Sequence, residues 1–234
     1  TLYSSSAASD VYKRQVVVCF VVMGLDAVVS RDGDPALHVA QGRLMLERGG
    51  LLPTDPTCVA VPDKPFIAHE WLAQLVLALT HAAFGLAGPA LLATFLYASC
   101  LALLTWWLVR TETAALWVAA AVILASLFLG GRLLARPHVF TWTAALTWVL
   151  ALEHWRRGRL GLGRLAALGV PLVMLWANLH GGFLVAFVLL AVYGVGEAVD
   201  RGRGISRAQG SLAAFAVVGV SVHVNTAELV VVGP

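Results

Sequence analysis

The chain alternates long apolar runs with short polar islands. The runs cover residues 16–29, 66–84, 89–109, 114–129, 139–155, 165–176, 183–199 and 212–222. Several approach the ~20 residues that cross a hydrocarbon core as a helix. A backbone in lipid must satisfy its own hydrogen bonds, so such runs predict helices and not isolated strands. Most islands have the length of turns. The exception is 30–65, which is long enough to hold structure of its own.

Lysine and arginine positions set the orientation. One turn carries Arg156, Arg157, Arg159 and Arg164; another carries Arg201, Arg203 and Arg207. Both are expected on the cytoplasmic side, and the two runs between them are consistent with that. Counting back, Arg110 is also cytoplasmic if 89–109 and 114–129 each span. The 30–88 region is then external, provided that 66–84 does not cross. That run holds His69, Glu70, Gln74 and His81, each unfavourable at mid-bilayer. It reads as a helix lying at the interface. The expectation is an all-α polytopic membrane protein with about seven transmembrane helices, plus juxtamembrane helices in the first external loop. Eight spans is the alternative, and it would place the 156–164 turn outside.

Composition narrows the class further. Hydrophobic residues make up 59% of the 234 and charged residues 12%, against about a quarter charged in soluble domains. An ordinary soluble enzyme is disfavoured, and disorder is excluded by the apolar content. A formal net charge of +3 supports no nucleic-acid partner. Three cysteines without paired spacing suggest neither a disulfide framework nor a zinc site. Residues 1–15 differ sharply in composition from the apolar run that begins at Val16. Their Asp10–Gln15 string resembles a translated transposase adapter, so they are expected to be a non-native leader. Residues 16–234 are expected to be the N-terminal part of a longer transmembrane domain.

Under this topology the reactive groups gather on the outer face. They include Asp32, Asp34, His38, Lys64, His69, Glu70, Arg136, His138, Asn178, His180 and His223. In the external loop, Asp34 before Pro35 predicts a helix capped by Asp34 with Pro at its first position. Leu37, Ala40, Leu44 and Met45 share one face of that helix, which ends at Gly49-Gly50. Plainer assignments stand beside the functional ones. Asp32 and Asp34 also suit cap and turn roles, and His69 and Glu70 also suit a water-facing surface. Arg136 also suits snorkelling to headgroups, and the 178–182 segment also suits an Asn cap with a Gly turn. Glu153 and His154 read as a solvated helix end. Trp106, Trp107, Trp155 and Trp176 read as an aromatic belt, and Trp142 and Trp148 as packing.

An acid after the first span, a surface helix, Gly and Pro, then Asp63-Lys64-Pro65, resembles the GT-C glycosyltransferases. These include the protein O-mannosyltransferase and aminoarabinose-transferase families. His69-Glu70-Trp71-Leu72, Arg136-Pro137-His138 and Trp176-Ala177-Asn178-Leu179-His180-Gly181-Gly182 resemble an uncharacterised bacterial subgroup of that superfamily. The resemblance implies sugar transfer from a polyprenyl-phosphate donor to an acceptor at the outer face of a bacterial cytoplasmic (inner) membrane. It makes Asp34 the catalytic acid or base. Lys64 and Arg136 become candidates for the lipid phosphate, and His69, Glu70, His138, Asn178 and His180 for substrate contacts. Pro35 stands where many members carry Glu, so a double acid at that point is not implied. Some members use a divalent cation and others do not, which leaves the metal open. Two other functions compete: a transporter, which needs polar groups near the midplane, and a non-catalytic scaffold of the same fold.

Overall fold

The computed structural model describes residues 33–57, 65, 67–130 and 134–202. The expected leader, the spans 16–29 and 212–222, and Lys64 lie outside these residues. Among the described residues the chain is all-helical, with one isolated bridge pairing Thr54 and Pro65. In chain order the helices are α1 (Asp34–Arg48), α2 (Trp71–Phe84), α3 (Ala87–Arg110), α4 (Ala115–Gly130), α5 (His138–Arg156), α6 (Leu162–Leu179) and α7 (Leu184–Gly202). A 3-10 turn, Gly181–Phe183, joins α6 to α7.

Paired residues give the helix directions. Tyr97 of α3 meets His138 of α5, and Trp107 near the end of α3 meets His154 near the end of α5. Those two helices therefore run parallel. α6 returns beside α5: Trp176 reaches Thr141, and Gly169 faces the Trp148 ring. One core consists of Trp148, Leu152 and Trp155 of α5, Leu165, Val173 and Trp176 of α6, and Ala186 and Leu190 of α7. Positions 148, 152 and 155 follow the i, i+4, i+7 rule for one helix face. A second core joins Ala93, Tyr97 and Leu101 of α3 to Ala135 and Val139. The Trp148 indole N–H, a group that must be paired when buried, donates to the Ala186 carbonyl at 3.0 Å.

The outer surface of the bundle is apolar. On α7, Leu184, Val188, Val192, Val195 and Val199 are exposed at helical spacing, while Ala186 and Leu190 face inward. A helix with apolar residues on both faces suits lipid better than water. Helix α3, helix α6 and the 181–199 segment are long and apolar enough to cross a bilayer. At 24 residues, α3 is about 36 Å long. Helix α4 is shorter, with 16 residues, and the last turn of α5 holds His154 and Arg156.

Helix α1 departs from its expected capping and facing. Gly33, not Asp34, occupies its N-cap, and Asp34 stands in the first turn beside Pro35 with its carboxylate elsewhere. The helix does end at Gly49, whose left-handed φ of 73° suits glycine. Its buried positions are Pro35, Val39, Gln41, Gly42 and Met45. Leu37 and Ala40 are exposed instead. The reason lies at Gly42, which packs directly on the α2 backbone. A Cβ there would sit 2.1 Å from the Gln74 carbonyl oxygen and 2.8 Å from the Ala78 Cβ. Close backbone approach, and not the breadth of the apolar face, sets the rotation of α1.

The tryptophan and acid assignments also change. Trp155 and Trp176 are buried in the α5–α6–α7 core, so they are not part of a belt. Glu153 is not a solvated end. Its carboxylate accepts from Arg156 (2.8 and 2.6 Å), from Arg157 (2.6 Å) and from the Tyr193 hydroxyl (3.4 Å). At the same end Arg157 lies over the Trp107 ring at 4.8 Å and Arg110 over Trp106 at 5.8 Å. Arg110 and Arg156–Arg157 thus share one end of the bundle, as the charge pattern predicts.

Replacing Gly42 by Ala tests the α1–α2 seat. Overpacking of this kind costs about 1–3 kcal/mol. Thermal unfolding in detergent is expected to show a lower melting temperature for Gly42→Ala, and a larger drop for Gly42→Val. Unchanged melting would contradict the close approach.

Candidate functional site

The polar groups meet at the end of the bundle opposite the arginines. Each arrives on a different element. Asp34 comes from the start of α1, and Arg136 from the turn before α5. Glu70 immediately precedes α2, and His180 lies between α6 and the 3-10 turn. Arg136 places Nη1 at 2.8 Å from Asp34 Oδ2. This ion pair joins helix α1 to the bundle.

Glu70 sits between two imidazoles. His180 Nε2 lies 3.4 Å from Glu70 Oε1, and His38 Nε2 lies 4.0 Å from Glu70 Oε2. The neighbours of His180 set its tautomer. The Gly182 N–H, which can only donate, points at His180 Nδ1 at 2.9 Å. Trp176 Nε1–H, also only a donor, occupies Thr141 Oγ1 at 2.9 Å. The Thr141 hydroxyl proton is therefore directed at His180 Nδ1, 2.8 Å away. Nδ1 accepts, so the ring proton resides on Nε2 and faces Glu70.

Gly182 makes this arrangement possible. A Cβ on it would lie 2.6 Å from Thr141 Oγ1 and 2.8 Å from His180 Nδ1. The His-Gly-Gly string is thus a seat for an imidazole, not a plain turn. Asn178 is not a cap either. Its Nδ2 donates to the Met174 carbonyl at 2.7 Å, and its Oδ1 accepts from Trp71 Nε1 at 2.9 Å. That bond ties the start of α2 to the end of α6.

The structure brings together Asp34 with Arg136, and Glu70 with His180. His138 bonds Tyr97 at 3.2 Å, one layer inward. His69 is exposed beside Glu70 and takes no part in this network among the described residues. Lys64 lies outside the described residues. Neither Thr141 nor Gln41 stood out in the sequence, and Gln74 had no role assigned. Thr141 had one signal, its i+3 spacing from His138 on a common helix face. Gln74 had one as a polar break in the 66–84 run, but its pairing with Gln41 had none, because these partners lie 33 residues apart on separate helices.

A divalent cation does not fit Glu70 and His180. Among the described residues no three His, Cys, Asp or Glu side chains are grouped to hold a metal ion. At His180 the protonated Nε2 has no lone pair to give to one. Asp34 Oδ2, for its part, is engaged by a guanidinium.

Burial raises the Glu70 carboxyl above its ordinary 4.5. Burial, then the proximity of His138 and His38, lowers the His180 imidazole below 6.5. The consequences for stability oppose each other. For Glu70, stability is complete below pH 4.5 and is lost as pH rises through the raised value. For His180, stability is complete above pH 6.5 and is lost as pH falls through the lowered value. Glu70→Gln removes the first effect alone. The melting temperature of the variant relative to wild type is therefore expected to rise between pH 4.5 and pH 7. A difference that stays constant with pH, in thermal unfolding across that range, would contradict the burial of this carboxyl.

No family model, curated protein or solved structure matches the chain, so the site's chemistry rests on its own geometry.

Proposed function

We propose that the chain is a membrane glycosyltransferase of the GT-C kind, moving a sugar from a polyprenyl-phosphate donor to an acceptor at the outer face of a bacterial cytoplasmic membrane. The single supporting observation is the grouping of two carboxylates, a guanidinium and two histidines at one end of an apolar bundle, opposite its arginine-rich end. Seven spans, with the 30–88 loop outside, belong to the same proposal.

Sugar transfer from a phosphate carrier needs two things. A base removes the acceptor proton, and donors stabilise the charge that develops on the leaving phosphate. Arg136 supplies the second. A guanidinium has five N–H donors, so one can stay on Asp34 while others meet phosphate oxygens. Planar guanidinium and phosphate match in bidentate fashion. Asp34 then holds Arg136 in place, or takes the proton itself. Lys64 keeps the role of a second phosphate contact. His138 and Asn178 support the layer below, through Tyr97 and Trp71.

The test uses the protein in liposomes with a panel of polyprenyl-phosphate sugars, reading release of the carrier lipid. Wild type is expected to release carrier, and Arg136→Ala to release it about 10²–10³-fold more slowly. Asp34→Asn is expected to fall as well, with folding retained. No release by wild type with any donor and acceptor would remove the proposal in favour of a scaffold. Equal release by Arg136→Ala would remove Arg136 from the phosphate site.

A further inference from the structure

A string of hydrogen bonds runs from the loop after α1 to His38, whose Nε2 lies 4.0 Å from Glu70 Oε2, and its polarity is fixed at the far end. Asp55 Oδ1 accepts, and Gln41 Nε2 approaches it at 3.4 Å, with Thr57 Oγ1 at the same distance. The Gln41 amide therefore turns Oε1 toward Gln74, whose Nε2 donates to it at 2.7 Å. The same Gln74 Nε2 lies 3.4 Å from His38 Nδ1. An amide nitrogen only donates, so His38 Nδ1 accepts and its proton sits on Nε2, toward Glu70. Reversing the Gln74 amide would set two carbonyl oxygens, those of Gln41 and Gln74, against each other. Gln41 and Gln74 are 3% and 4% exposed, so water does not relieve a wrong orientation.

His180 reaches the same state by an independent route, through Gly182, Thr141 and Trp176. Two imidazoles, His38 of α1 and His180 after α6, thus turn Nε2–H toward one carboxylate, at 4.0 and 3.4 Å. Other charged groups lie around it: His69 next in sequence, His138 from α5, and the Asp34–Arg136 pair where α1 meets the turn before α5. A site that offers one acceptor and two N–H donors selects its ligand by chemistry. A phosphate only accepts, and Glu70 repels it. An ammonium only donates, and both N–H groups oppose it. A hydroxyl does both: it donates to the carboxylate and accepts from an imidazole.

We propose that Glu70, held between the Nε2–H groups of His38 and His180, is the acceptor subsite, and that the acceptor is an alcohol. This rests on the sugar-transfer proposal above. In the transfer step the acceptor O–H proton passes to a Glu70 carboxylate oxygen. The acceptor oxygen's electron pair forms the bond to the sugar's anomeric carbon. The bond from that carbon to the phosphate oxygen breaks, and its electron pair stays on the carrier phosphate near Arg136. His38 and His180 are positioning residues for Glu70. The raised carboxyl suits Glu70 to receiving a proton.

Two readouts on the protein in liposomes test this separately. The first needs no turnover. Dicyclohexylcarbodiimide adds to a protonated carboxyl in apolar surroundings, and the adduct is located by mass spectrometry. Glu70 is expected to be modified faster as pH falls, and on the alkaline side of neutral, where the ligand meets the carboxylate, dodecanol is expected to protect it several-fold better than dodecyl phosphate or dodecylamine. Equal protection by all three, or better protection by the phosphate, overturns the alcohol subsite. The second readout is carrier-lipid release with dodecanol as acceptor. Glu70→Gln is expected to lower its maximal rate by on the order of 10²-fold or more, as for a lost general base, with little change in donor KM. His38→Gln, which keeps an N–H donor, is expected to retain the wild-type pH profile, and His38→Phe to shift it. Full release by Glu70→Gln overturns its role as base. Should wild type release no carrier at all, the sugar-transfer reading fails while the protection result still decides whether Glu70 binds an alcohol.

Discussion

A half-buried carboxylate at the end of an apolar bundle needs donors, and its own helix supplies none. Around Glu70 stand His180 from the α6 end, 3.4 Å away, and His38 from α1, 4.0 Å away. Each imidazole is in turn held by donors that fix its proton. Satisfying one charge therefore recruits Gly182, Thr141 and Trp176 on one side and Gln74, Gln41 and Asp55 on the other. A buried polar group left unmet costs about 1–3 kcal/mol, and in this network Gln74 Oε1 is the buried atom that meets no partner among the described residues. The network is the means by which α1 and the segment after it are fixed onto the other helices.

Two further links share that task. The Asp34–Arg136 ion pair is partly exposed, with the Arg136 and Asp34 side chains at 34% and 49%, so its contribution to stability is small. Its value is positional: it sets a guanidinium beside a carboxylate at the mouth of the bundle. The Trp71–Asn178 bond and the Gly42–Gln74 approach carry more of the packing. At the other end, Glu153 gathers Arg156 and Arg157, and the arginines lie against tryptophans. The bundle is polar at both ends in different ways, with arginines gathered on Glu153 and tryptophans at one and the candidate site at the other.

Much of the helical layout was legible in sequence. Apolar runs gave five bundle helices close to their observed places, because lipid leaves a backbone no choice but helix. The position of Arg110 relative to Arg156 was legible from the arginine turns and the count of apolar runs between them. The rotation of α1 was not. Leu37, Ala40 and Leu44 suggested a packing face, but Gly42 allowed a backbone approach that periodicity does not encode. Trp176 was misplaced for a related reason: nearness to a helix end suggested a belt, whereas its N–H was needed by Thr141. The site residues Glu70, Arg136 and His180 were visible as polar breaks in apolar surroundings. Their pairing was not, since Glu70 and His180 belong to different motifs and meet only through the fold.

Glu70 and His180 are held to act as one unit, and the rest of the site depends on that coupling. A double-mutant cycle with Glu70→Ala and His180→Ala, read by reversible unfolding in detergent at neutral pH, tests it most directly. Residues in one hydrogen-bonded network show interaction energies of about 0.5–3 kcal/mol. A coupling in that range is predicted. Single effects that add to within about 0.5 kcal/mol would contradict it.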